Sequence, residues 1–142
     1  MPISDYLADA ILNDTWRTTA FTPPGTVYIG LCSADMGRTY DAAKELANAG
    51  GYGRVGITKG NAAWSAPATV GGKREITNAA VVNFGTASAG WNGGAAIAFW
   101  FMSDSPTIGQ GNLLGSGVID VGKIVDMGDP VSFPVGTLRL RF

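Results

Sequence analysis

Apolar and polar positions along the first thirty residues follow two periods in succession. Leu7, Ala10 and Ile11 recur at helical spacing. Ser4 stands before them as an N-cap, and Asp5 falls in the first turn, where a helix N-terminus favours negative charge. The pattern predicts a helix over about 4–16. The breaker Pro23-Pro24-Gly25 follows, and beyond it Val27, Ile29 and Leu31 alternate with Tyr28, Gly30 and Cys32. The second set is also largely apolar, so the strand predicted from Thr26 to Ala34 should be covered on both faces.

The period of two returns several times. Tyr52 to Thr58 places Val55 and Ile57 on one face, and Glu75-Ile76-Thr77 resumes extended structure. The apolar runs Val81 to Phe84 and Ala95 to Met102 read as central strands, separated by the turn at Trp91-Asn92-Gly93-Gly94. Leu113 to Asp120, Lys123 to Val125, Pro130 to Pro134 and Thr137 to Phe142 complete the set, joined by Gly, Asp and Pro turns. Two excursions interrupt the rhythm, over 35–50 and 60–73. The first contains Tyr40 to Ala47, which the pattern allows as a short helix ended at Gly50-Gly51. Seven to nine short strands at this spacing predict a mainly β fold, an antiparallel β-sandwich or jelly-roll-like barrel over about 26–142 with one N-terminal helix beside it. Its core is expected to hold Leu7, Ile11, Val27, Ile29, Ile97, Phe99, Phe101, Leu138 and Leu140.

Composition narrows the chemistry. The 142 residues, 46% of them hydrophobic, form one domain over 1–142 that buries its own core without metals or disulfides. Ten basic and eleven acidic residues leave a net charge of -1, and the basic ones are scattered, so no nucleic-acid partner is expected. Arg139 and Arg141 alternate with Leu138, Leu140 and Phe142, as on the solvent face of a strand. A single cysteine and no histidine exclude an intrachain disulfide, a Cys/His zinc site and a histidine base. Cys32 reads as a small packing residue. Asp126-Met127-Gly128-Asp129 lacks the spacing of a calcium loop and reads as a turn. Gly109-Gln110-Gly111-Asn112 has no Lys-Ser/Thr after it and reads as a hairpin rather than a phosphate loop. No catalytic residue, cofactor or metal is therefore assigned. No signal-peptide pattern opens the chain and its longest apolar run is too short for a membrane span, so no membrane partner is expected and synthesis in a cytoplasm is.

The four tryptophans divide by context. Trp100 lies inside a strand and Trp16 ends the first helix, which points both to the core. Trp64 and Trp91 lie near turns and suit the surface. With Tyr40 of the first excursion, they are the candidates for contact with a partner, Tyr40 and Trp64 because loops as long as the two excursions usually serve a function in a compact domain, and Trp91 for its place at a turn.

The run Ser4-Asp5-Tyr6-Leu7 to Leu12-Asn13, followed by Arg17, Thr19-Ala20-Phe21-Thr22 and Thr26-Val27-Tyr28-Ile29, resembles a family of small bacteriophage virion proteins, often labelled tail-fibre-like. The resemblance continues through Gly51-Tyr52-Gly53-Arg54, Ile76-Thr77-Asn78-Ala79-Ala80, Phe84-Gly85-Thr86-Ala87 with Trp91, Gly111-Asn112-Leu113-Leu114 with Gly117, and the segment from Gly128 to Leu138. It implies a virion component made in the host cytoplasm. Since no fibrous repeat is present, the first expectation is a capsid decoration or cement protein, a homo-oligomer and specifically a homotrimer, bound to the phage major capsid protein. The alternative is a tail or tail-fibre component involved in host recognition. An enzyme, such as a cell-wall hydrolase, would need paired acids or a metal site that these residues do not supply.

Overall fold

The computed structural model describes residues 3–142. The helix α1 spans Asp5–Trp16, and the Ser4 hydroxyl caps it by accepting the Leu7 N–H at 3.1 Å. Its attachment is not the one the apolar spacing predicts. Buried Ser4 donates its N–H to Leu114 O, the Asp5 N–H donates to Arg38 O, and the Asp5 carboxylate pairs with Arg38 at 2.5 Å. These bonds hold the first turn, while no residue of α1 is buried. Leu7 packs half-buried against the core, but Ile11 is 37% exposed, a correction to its expected core position. The helix rests beside the sheet instead of sinking a full apolar stripe into it.

Nine strands follow among the described residues: β1 Thr26–Cys32, β2 Val55–Thr58, β3 Ala68–Val70, β4 Lys73–Thr77, β5 Val82–Thr86, β6 Ile97–Ser103, β7 Leu113–Lys123, β8 Pro130–Phe133 and β9 Arg139–Arg141. All pairings are antiparallel, in a four-stranded sheet β2-β1-β6-β7, a three-stranded sheet β3-β4-β9 and a two-stranded sheet β5-β8. The fold is mainly β and sandwich-like, as the alternation predicts. Its principal core lies between the four-stranded sheet, through Ile29, Leu31, Trp100 and Met102, and the smaller sheets, through Val82, Phe84, Val131, Phe133 and Leu140.

The other face of the four-stranded sheet carries a second cluster, Cys32, Met36, Phe101 and Leu113, with Tyr40 and Phe99 packed on it. Register explains the division. Leu31 pairs with Trp100 and Ile29 with Met102 on the inner face, whereas Cys32 pairs with Phe99 and Gly30 with Phe101 on the outer one. A bulge between Ile97 and Phe99 shifts the phase of β6. Ile97 therefore joins the principal core, and Phe99, expected on the same face, is half-buried on the opposite side.

Three local expectations change. Residues 40–47 form turns and a single bridge between Cys32 and Glu45 in place of a short helix. The second excursion contains the β3–β4 hairpin, whose Gly71-Gly72 turn has φ of +57° and +76°, the left-handed pair that a two-residue hairpin needs. β7 runs on to Lys123, and the separate strand expected over Lys123 to Val125 does not form, Ile124 and Val125 lying outside any strand.

Candidate functional site

The first excursion crosses the outer face of the four-stranded sheet, and a buried ion pair fixes it there. Glu45 and Arg54 have side chains 1% and 0% exposed. Arg54 donates to both Glu45 carboxylate oxygens, from Nε and from Nη2, each at 2.8 Å, which is the fork geometry of a guanidinium on a carboxylate. The Tyr40 hydroxyl, the Tyr52 hydroxyl at 3.2 Å and the Gly109 N–H at 3.1 Å also donate to Glu45. The remaining Arg54 donor, Nη1, reaches Ser105 O at 2.7 Å and Gln110 O at 2.9 Å, and the guanidinium lies over the rings of Phe101 and Tyr40. One side chain thus joins the excursion to the β6–β7 hairpin loop.

The electrostatics follow from this packing. Burial by itself would raise the Glu45 pKa, but hydrogen bonds from Arg54, Tyr40 and Gly109 outweigh it and hold the carboxyl below its ordinary value. Burial lowers the Arg54 pKa less than Glu45 raises it. Burial, with the adjacent Glu45 carboxylate, pushes the Tyr40 phenol up to about 12, and burial also raises Tyr52. The carboxylate's acceptor positions are taken by protein donors, so the cluster acts as a clamp and leaves no oxygen for a substrate. No group of three or more His, Cys, Asp or Glu is placed to hold a metal among the described residues.

Each residue predicted to contact a partner has a definite place. Tyr40 belongs to the clamp, half-buried against Phe101 with ring centroids 5.8 Å apart. Trp64 is half-buried and bridges Asn78 at the base of the β3–β4 hairpin. Trp91 is 2% exposed, its indole N–H donating to Gly50 O at 2.7 Å, so the surface position expected from its turn is corrected to a core one. Trp16 is corrected in the opposite direction, with 74% exposure at the end of α1. The three residues are not brought together into one site. Glu45 and Arg54 escaped the sequence reading because they are nine positions apart in a segment without periodicity. The one signal was the block Gly51-Tyr52-Gly53-Arg54, and there Arg54 read as the face of a strand that begins only at Val55.

Among the exposed apolar side chains, two groups lie near opposite ends of the four-stranded sheet. At the end where β6 finishes and β7 begins, α1 presents Leu12 and Trp16 outward. At the other end an open pocket of about 290 Å³ lies between the far part of β7 and β8, lined by Ile97, Val121, Val125, Val131 and Phe133 with Lys123 at its rim. Ile124 and Met127 are exposed in the following loop. No helix among the described residues is long and apolar enough to cross a membrane.

A family model described as Podophage GP4 fiber I protein gp80 matches residues 2–141. No curated protein matches the sequence.

Proposed function

The chain belongs to the Podophage GP4 fiber I protein gp80 family, and from that premise we propose that it is a structural component of the fibre apparatus of a phage virion, acting in host recognition. The observation that carries the reading is the extent of the match, which takes in the helix and every strand of the sandwich. The geometry is compatible with it. The buried Glu45–Arg54 pair is consumed in holding loops, while exposed apolar side chains include groups near the two ends of the four-stranded sheet, as expected of a protein that works by contact.

The copies assemble with one another in this proposal. Cys32 is the lone cysteine and is buried, so the assembly is held by packing and not by disulfides. A second reading, decoration of the major capsid protein by a trimer, draws on the short strands and the absence of a fibrous repeat, but the family description favours the fibre. Copy number separates the two. Quantitative mass spectrometry of purified virions should find this protein scarce relative to the major capsid protein. A stoichiometry comparable with the capsomers would reject the fibre reading in favour of the capsid.

A further inference from the structure

α1 carries two faces of different use. Leu7 and Ile11 look toward the groove between the helix and the sheet, which Phe21, Val27, Met102 and Leu114 also line. Asp9, Leu12 and Trp16 stand at i, i+3 and i+7 and form one stripe on the far side. An exposed leucine alone would need no explanation, but a tryptophan at 74% exposure beside a second large apolar residue marks a contact surface.

The opposite end of the sheet carries an open apolar pocket. The pocket between β7 and β8 is walled by Ile97, Val121, Val125, Val131 and Phe133, and at about 290 Å³ it lies at the lower end of ligand pockets, sized for one or two side chains. Val121 at its mouth is 79% exposed. Charge also matches. Asp9 on the helix stripe and Lys123 at the pocket rim make no ion pair among the described residues, Lys123 donating to Pro130 O, while Asp120, the carboxylate that also lines the pocket, is paired with Arg139 at 3.5 Å. α1 is bound at Leu114 near the start of β7, and the pocket is lined from Ile119 to Lys123 in the far part of that strand, beginning about 17 Å along it at the rise of an extended strand. No residue of α1 lines this pocket within one copy.

We propose that Leu12 and Trp16 of one copy insert into the pocket between β7 and β8 of a second copy, with Asp9 meeting Lys123. Knob and hole lie on different surfaces, so the contact is head-to-tail: each copy gives a helix and receives one, and repetition closes a ring or extends a stack. The inference rests on the self-assembly proposed above and names the surface that performs it.

The test combines mass measurement with directed cross-linking. Wild-type protein should be associated in sedimentation at micromolar concentration, and Trp16→Ala and, separately, Val121→Asp should each shift it to monomer while retaining the wild-type circular dichroism spectrum. In a Cys32→Ser background, a copy bearing Asp9→Cys mixed with a copy bearing Lys123→Cys should form a disulfide-linked pair under mild oxidation, and neither copy alone should do so. An assembly that survives both substitutions, or copies bearing Asp9→Cys that link to one another, would overturn the head-to-tail contact and leave self-assembly standing. Wild type that is monomeric at every concentration would overturn self-assembly itself, and the inference with it.

Discussion

At the scale of single residues, the tightest constraint is Gly30 on β1. A Cβ there would fall within the van der Waals envelope of the Phe101 ring, which is fully buried and sandwiched under Arg54. Gly30→Ala should therefore destabilise the fold by about 1–3 kcal/mol, the usual cost of forcing a methyl into a packed core, and urea unfolding will measure it. Cys32, paired with Phe99 on the same outer face, has a thiol pushed up to about 12 by burial and by the nearby charges of Asp35 and Glu45. At pH 8 a thiol reagent should modify it only as fast as the protein opens. The Cys32→Ser protein should keep the wild-type assembly state. The clamp predicts a pH dependence. Glu45 has a folded pKa below its unfolded value, so its contribution is complete above the ordinary glutamate range and is lost as pH falls through the depressed value. Glu45→Gln should cost about 3–5 kcal/mol at pH 7, since it strands the buried Arg54 charge. The difference between variant and wild type, followed by denaturant titration, should narrow as the pH is lowered below about 4. Tyr40 works in the other direction: its raised pKa means a contribution present below about 10 and lost as pH climbs toward about 12.

Secondary elements show where alternation suffices as a guide and where it does not. β5 and β8 were legible because each sets apolar side chains against a core at every second position, and β1, β6 and the start of β7 because both of their faces are covered and their apolar runs are continuous. β3 was not, since all three of its residues are exposed and it is held only by pairing with β4. Its signal was the turn: Gly71-Gly72 is the dipeptide a two-residue hairpin requires, yet it reads equally well as the end of a loop. Replacing both glycines with alanine should cost about 1–2 kcal/mol through two strained left-handed positions, and hydrogen exchange should show the loss confined to β3 and β4. The short helix expected over 40–47 failed for a different reason. Its spacing fits a helix, but Glu45 gains more from Arg54 and Tyr40 than a solvated turn could offer. The tryptophans follow the same logic. Trp91 was assigned by its glycine-rich neighbours, and those neighbours are what let the chain fold back so that its indole meets Gly50. A candidate site built by such long-range contacts leaves almost no trace in a local pattern.

At the scale of the whole molecule, the two ends of the sheet differ in a way that suits a part in a larger assembly. One end exposes a helix with an outward tryptophan and the other an apolar pocket, while the charged centre between them is sealed. A protein that binds its neighbours only when folded gains stability from each contact by mass action, so its apparent melting temperature depends on its own concentration. For a fibre component the larger consequence lies in the virion. Shell closure and genome retention depend on the capsid, whereas attachment to a cell depends on repeated weak contacts made by fibres, which multiply into avidity. Phage lacking this protein should then form particles that retain DNA at the same temperature as complete ones but adsorb poorly to host cells, and purified protein supplied during assembly should restore adsorption. Adsorption assays and thermal DNA-release curves on the same particle preparations will check both parts. If deletion leaves adsorption intact and instead lowers the temperature of DNA release, the protein acts on the shell, and the capsid-decoration reading replaces the fibre.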